Sequence, residues 1–500
     1  MEVVSDFPVL TPRSETELAE IIAKVRLHGN CTIRPAGAGH TEAAFVTQPA
    51  RDKNVVVVNL ANFVPPSSWD QRLDKTTGRL RISGGASILQ VVSLTRPHGF
   101  LFETQTAGTF FSIGGIVANP SVHGSTFDKG RINEAVTAVR VMLANGTVRE
   151  IHDSEEVKAW RGSLGLLGII TAVEIQLRRD MGVLLDYKET YYDDEKKPWN
   201  RENVIADVAE TYTRFHSAEW FYNVYADMIQ HVRVRYDAGV PFDPSATAAS
   251  YAKELALYPN NDLVRTGGQM LLSSRLFFKL YWLVDSVTDG YFQRMLSELL
   301  MGGATSYVSE HWKENNRTRR DLFFVPASSL GTFKQLYCSI QCEADCVTDG
   351  TMFAIVNATR TWLRKQLVSP NAGFYQSMAF EWRIITARPG TQLLEHLEPG
   401  KWLGIEIITA HSVGHVPQSS SFLYDLEQIW LRNAPLKVRM HHGKASAFGY
   451  VANTGQVEPY ANRAALDSMY TEDVKAAFKA KMNEYDPAGI FRGGDMMKQL

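Results

Sequence analysis

The spacing of apolar and polar residues divides the chain into two stretches of different character. Over residues 14–180, short strands and helices alternate. Leu18, Ile21, Ile22 and Val25 recur at helical spacing and predict a helix over Thr16–His28, opened by a capping box of Ser14 with Glu17 three residues on. Apolar runs predict strands at Cys31–Arg34, Val55–Leu60 and Leu80–Ser83, and Ile88–Thr95 carries the period of a helix. Ala135–Leu143 and Thr147–Ile151 meet across Asn145-Gly146, a hairpin signal, because both turn residues tolerate positive φ. A short helix over Glu155–Leu164 follows. Gly168–Arg178 then reads as a strand, apolar at first and alternating later, hence buried at one end.

The charged segment Asp180–Arg201, with Asp193-Asp194-Glu195-Lys196-Lys197-Pro198, lacks apolar periodicity and reads as a domain boundary. Beyond it, aromatic residues are dense from Trp220 to Leu280, serving either the core of a second domain or a large apolar substrate. His231–Tyr236 alternates through Val232, Val234 and Tyr236. Helical patterns lie at Tyr291–Leu300 and Thr359–Gln366, and strand-like runs at Ala379–Thr386 and Leu403–Ala410. Cys338, Cys342 and Cys346 recur at spacing four, one stripe of a helix. They read as small buried hydrophobes rather than metal ligands, since no histidine or fourth cysteine lies near.

Composition narrows the class. With 500 residues, 45% of them hydrophobic and 21% charged, the chain has the make-up of a globular protein of two or three domains. A net charge of −2 gives no electrostatic reason for nucleic acid or an anionic membrane as partner. The longest apolar run, Leu164–Val173, is too short to span a bilayer, so no transmembrane segment is expected. The start Met-Glu-Val-Val-Ser-Asp has neither the basic residues nor the apolar core of a signal peptide. With only four cysteines as well, the expected location is cytoplasmic.

Two features carry chemistry. In Arg34-Pro35-Ala36-Gly37-Ala38-Gly39-His40-Thr41 a strand runs into a turn of small residues, whose main chain can approach a pyrophosphate closely. It lacks the third glycine of a dinucleotide fingerprint and the Gly-Lys of a Walker loop. His40 either bonds backbone at the turn or sits beside the anchored group. Second, Glu381 and Arg383 lie two apart on a predicted strand and therefore share a face, with Phe380, Trp382 and Ile384 opposite. They are either an exposed ion pair or a buried one, and burial would require mutual pairing.

Further blocks stand in a recognisable order: Ser112-Ile113-Gly114-Gly115-Ile116-Val117-Ala118-Asn119, then His123-Gly124-Ser125; Ser163-Leu164-Gly165-Leu166-Leu167-Gly168-Ile169-Ile170-Thr171; Met440-His441-His442-Gly443-Lys444; and Asp486-Pro487-x-x-x-Phe491. Together with the first turn they resemble the vanillyl-alcohol-oxidase (PCMH-type) superfamily of FAD-linked oxidoreductases, above all the sugar-lactone and alditol oxidases. Lys444–Gly449 and the ending Phe491–Lys498 are more like covalent-flavin sterol oxidases.

That resemblance implies an α+β fold, with a two-subdomain FAD-binding domain over residues 1–180 and a cap domain over 181–480. The cap is built on a large antiparallel sheet flanked by helices, and residues 481–500 return to the FAD domain. FAD contacts fall on Ala36, Gly37, Ala38, Gly39, His40, Thr41, Ala107, Ser112, Gly114, Gly115, Asn119, His123, Ile170 and His441, with His40 as covalent tether. Glu381, Arg383 and Lys444 become the catalytic charges, with either Glu381 or Lys444 as base. The substrate is a polyol or sugar lactone, or else a bulkier alcohol such as a sterol, with O2 or another acceptor taking the electrons. A flavin-binding protein without turnover is the reading from another class. The chain departs from the family pattern in one extra residue between Gly115 and His123, where Pro120 is inserted. It departs again at His442, which replaces the usual tryptophan.

Overall fold

The capping signals at Ser14 and Ser87 set the first two helices. In the computed structural model, α1 (Glu15–His28) begins where Ser14 Oγ accepts the Glu17 N–H at 3.2 Å. The Glu17 carboxylate reaches back one residue further than a standard box, to Arg13 N at 2.8 Å. At α2 (Ile88–Thr95) the box is complete, Ser87 and Gln90 each taking the other's backbone N–H. The structure describes residues 8–38, 54–104, 106, 111–120, 122, 130–179, 183–193, 195–215, 217–236, 294–295, 298, 301–302, 319–320, 336–343, 350–368, 380–395, 397–409, 425–430, 432–433, 438–441, 450–451, 456–457 and 470–492.

Two small sheets and a two-stranded pair run through the described residues of the first part. Strands β1 (Val9–Leu10), β2 (Thr32–Ala36) and β3 (Val55–Asn59) are parallel in the order β1-β3-β2. β4 (Arg72–Leu73), β5 (Arg79–Ser83), β7 (Val136–Met142), β8 (Val148–Ile151) and β9 (Ile169–Gln176) form an antiparallel sheet ordered β4-β5-β9-β7-β8, while β6 (Phe100–Leu101) pairs with β10 (Arg178–Arg179). The β7–β8 hairpin turns through Ala144-Asn145-Gly146, with Gly146 at φ +81°, the three-residue form whose last position needs the left-handed region. α3 (Ile113–Ala118) and α4 (Ser154–Trp160) follow the glycine turn and the hairpin. α4 stops before Leu164 because Gly162, Leu164 and Gly165 all take positive φ. β9 is buried from Ile169 to Ile175 rather than at one end only, since it is the middle strand and both faces are covered.

The segment read as a boundary holds a strand. β11 (Val183–Tyr191) joins β12 (Ser217–Asn223), β13 (Met228–Tyr236), β14 (Arg319–Arg320), β15 (Leu336–Glu343), β16 (Phe380–Ala387), β17 (Gly400–Thr409) and β18 (Val438–Met440). These form one antiparallel sheet in the order β14-β11-β13-β12-β16-β17-β15-β18. Cys338 and Cys342 therefore lie on a strand and not on a helix, and Cys346 lies outside the described residues; spacing four satisfies the two-residue period as readily as the helical one. α5 (Arg201–Arg214) and α6 (Thr351–Val368) back this sheet, α6 starting eight residues before the predicted Thr359. Of the predicted helix at Tyr291–Leu300, the described residues Arg294, Met295 and Glu298 are helical.

Register sorts the eight-stranded sheet into two faces. Trp220, Trp382 and Ile405 form one row, and Tyr222, Phe380 and Ile407 the next. These side chains join a core with Ile355 and Val356 of α6 and with Trp430. The opposite face carries Glu219, Phe221, Glu381, Arg383 and Glu406.

His231 of β13 is buried, its Nε2 lying 3.1 Å from Thr190 Oγ1. Burial first, then the Lys188, Arg233 and Lys197 charges, hold its pKa well below 6.5, against the opposing pull of Asp207. The unfolded chain thus binds a proton that the folded protein resists. Stability is expected to fall as pH drops below about 6.5, with a slope approaching about 1.4 kcal/mol per pH unit. Urea unfolding at several pH values should show this slope, and the His231→Gln variant should lack it.

The C-terminal helix α7 (Glu472–Tyr485) returns to the first part of the chain. After it, the Asp486 carboxylate accepts the Ile490 and Phe491 N–H groups, each at 2.9 Å. This loop gives Ile490 O to Ile33 N at 2.7 Å and buries Phe491 with Leu18, Ile22, Ile33 and Val58. Asp-Pro-x-x-x-Phe is therefore a brace for the outer edge of β2.

Candidate active site

β2 ends at Ala36, and Gly37 carries the chain directly against the start of α3. A Cβ on Gly37 would stand 1.9 Å from Ser112 Oγ, and one on Gly115 would stand 2.9 Å from the same oxygen and 4.0 Å from Gly37 Cα. A side chain at either position would have to displace the Ser112 hydroxyl. The Gly37 carbonyl is held by Asn59 Nδ2 at 2.9 Å. Gly114 N–H donates to Gly84 O at 2.7 Å, and Gly84 lies on the Ile170 carbonyl, where a Cβ would be 2.3 Å from the oxygen.

The structure thus joins Ala36, Gly37, Ser112, Gly114, Gly115 and Ile170 in one packed unit. Ala38 follows Gly37 on its open side, and Asn119 ends α3 by donating to Gly115 O and Ile116 O. Gly39, His40, Thr41, Ala107, His123 and Lys444 lie outside the described residues. The unit fits an FAD pyrophosphate. Gly37, Ala38 and Gly114 are half-buried and Gly115 is exposed, so main chain is what it presents, with the Ser112 hydroxyl buried beside it and making no helix-capping bond.

Glu381 is buried and Arg383 half-buried on the polar face of β16, with side chains 10% and 14% exposed. Arg383 Nη1 lies 3.3 Å from Glu381 Oε1. Two further acids, which sequence reasoning missed, share the face. Glu406 of β17 stands directly across from Glu381, its Oε2 3.6 Å from Arg383 Nη2, and Glu219 of β12 stands in register with Arg383. Their signal was one glutamate inside an apolar run, Ile405-Glu406-Ile407 and Ala218-Glu219-Trp220, readable only once the strands are paired. His441, buried one residue beyond the Met440–Ile340 pair, extends the row that holds Glu406 and Glu381, on the sheet's far edge. Phe221 is the other neighbour of Glu381 in that row.

β16 runs straight into a loop fastened to the glycine-rich half. Arg131, fully buried, donates from Nη2 to Thr391 Oγ1 at 2.8 Å and pairs with Glu134 and Glu395. Arg161 Nη1 reaches Thr391 O at 2.9 Å, and Asn133 Nδ2 reaches Gln392 Oε1 at 3.1 Å. Burial pushes the Glu134 carboxyl up in pKa, against the charges of Arg131 and Arg388. Pro120, the extra residue after α3, is absorbed here. It is buried, and its carbonyl takes the Gln392 amide at 3.3 Å. The strand bearing Glu381 and Arg383 is therefore fixed, eight and nine residues beyond Arg383, to the segment that follows α3.

Among the described residues no group of three or more acids, histidines or cysteines is arranged to hold a metal ion, and no helix is long and apolar enough to cross a membrane. Residues 8–152 match the FAD binding domain family. D-arabinono-1,4-lactone oxidase of Candida albicans is 26% identical over 176 residues, 34% of this chain and 31% of that protein. L-gulono-1,4-lactone dehydrogenase of Mycobacterium tuberculosis is 26% identical over 175 residues, 35% of this chain and 38% of that protein. The match spans about a third of each relative's length.

The fold as a whole is similar to that of cholesterol oxidase from Brevibacterium sterolicum, with a TM-score of 0.66 at 14% identity, covering 98% of this chain and 94% of that one. It is also similar to 6-hydroxy-D-nicotine oxidase from Arthrobacter nicotinovorans, with a TM-score of 0.58 at 13% identity, covering 97% and 90%. Residues 8–152 are thus an FAD binding domain, the part that holds the two braced glycine turns, and the chain as a whole shares its fold with these two oxidases.

Proposed function

We propose that the protein is an FAD-dependent oxidoreductase that oxidises the carbinol carbon of a polyol or sugar lactone. The observation that carries this reading is the largely buried Glu381–Arg383 pair on a strand fastened to the glycine-rich half. A buried ion pair contributes little to stability by comparison with packed apolar groups, so its presence points to chemistry. The chemistry that bound FAD supplies is acceptance of a hydride from the carbinol carbon. Arg383 orients the substrate oxygen and stabilises negative charge as it develops. Glu381 holds the substrate hydroxyl and takes its proton, with Lys444 as the rival base. Gly37, Ala38, Ser112, Gly114 and Gly115 hold the pyrophosphate, and His441 lies against the flavin. The electrons leave to O2, giving hydrogen peroxide, or to another acceptor.

A bulkier alcohol is the second reading, favoured by Phe221, which gives Glu381 an aromatic neighbour. The test is flavin bleaching without oxygen across polyols, sugar lactones and hydrophobic alcohols. Bleaching by polyols or lactones supports the first reading, and bleaching by hydrophobic alcohols alone supports the second. No bleaching by any of them leaves a flavin-binding protein without turnover.

The resemblance around the first turn further supports His40 as a covalent tether to the flavin. A denaturing gel is expected to show a fluorescent band for the wild type and none for His40→Ala. A colourless wild-type band contradicts the tether and leaves FAD bound non-covalently.

A further inference from the structure

We propose that Glu406 is a positioning residue for Arg383, which fixes the guanidinium and sets how much of its charge the site presents. The proposal rests on the reading that this face of the sheet lies against FAD. Glu381 and Glu406 are cross-strand partners, and like charges directly opposite are unfavourable. The Arg383 fork resolves the conflict, with Nη1 3.3 Å from Glu381 and Nη2 3.6 Å from Glu406. Gly404 lies across from Arg383 and leaves room for the Ile385 side chain. A Cβ there would lie 2.6 Å from Ile385 Cδ1 and 3.5 Å from Arg383 Cγ.

Paired at both ends, the guanidinium is drawn toward one orientation. Two carboxylates also compensate its charge more fully than one would. An anion forming beside Arg383 therefore meets a weaker positive field while Glu406 is ionised. Removing that carboxylate charge strengthens anion binding without touching the substrate's own contact with Glu381.

The probe is sulfite, an anion that adds to oxidised flavin and bleaches it, titrated into the FAD-loaded full chain. Glu406→Gln is expected to bind sulfite about tenfold more tightly than wild type, the effect of one nearby charge. Glu406→Asp, which keeps the charge, should stay within about threefold of wild type. An Arg383→Gln, Glu406→Gln double variant should lose at least the whole gain.

Unchanged sulfite affinity in Glu406→Gln overturns the proposal, as does an Asp variant that behaves like Gln. If the double variant binds sulfite as tightly as Glu406→Gln, Arg383 does not face the flavin, and the underlying reading of the site fails instead. Should Glu406→Gln not fold, the Asp variant and the flavin midpoint potential, which Glu406 ionisation lowers on this account, decide the matter.

Discussion

Arg383→Ala is expected to destabilise the protein by about 3–5 kcal/mol, the range for removing one partner from a buried charge group. The alanine would take from Glu381 and Glu406, 10% and 6% exposed and facing each other across neighbouring strands, the guanidinium that they share. Neutralising one of the two should restore most of the loss. The Arg383→Ala, Glu406→Gln double variant is therefore expected to be more stable than Arg383→Ala alone, a sign reversal that independent sites do not show. Urea unfolding of the four corners of this cycle measures it. Strictly additive losses would mean that the guanidinium does not mediate between the two acids.

Phe491→Ala is expected to cost about 3–5 kcal/mol, as for other fully buried aromatic residues truncated to alanine. The effect should reach the cofactor. Phe491 packs with Leu18, Ile22 and Ile33, and its neighbour Ile490 accepts the Ile33 N–H on the strand that ends in the Gly37 turn. Loosening this brace frees the edge of β2 and, with it, the turn that faces Ser112 and Gly115. Lower FAD occupancy, read as flavin absorbance per protein, should accompany the lower unfolding midpoint. Phe491→Leu, which keeps most of the volume, should lose less of both. Full FAD occupancy in a destabilised alanine variant would show that the brace serves folding alone.

Much of the first part of the fold was legible because its signals are local. The serine cap before α1, the apolar period of each helix and the glycine at the β7–β8 turn act within a few residues. The glycine turns show as runs of small residues, but the contact that crowds a Cβ at Gly37 comes from Ser112, far along the chain. β11 was hidden. Its charged residues made it look like a linker, yet Asp186 is answered by Arg233, its cross-strand partner on β13. The cysteine spacing misled because a four-residue repeat fits a strand as well as a helix. In the candidate site, Glu381 and Arg383 announced themselves by sharing a strand face. Glu406 and Glu219 did not, because each is a single charge in an apolar run. Only the pairing of β12, β16 and β17, a matter of distant contacts, brings them beside Arg383.

The central claim is that the glycine turns and the charged row meet at one flavin. A crystal structure of the FAD-loaded protein tests it most directly. The account predicts the pyrophosphate along Gly37, Ala38 and Gly115, with the isoalloxazine ring within contact distance of the Glu381–Arg383–Glu406 row. A ring lodged elsewhere, with that row buried against protein and no cofactor atom near Arg383, would contradict it.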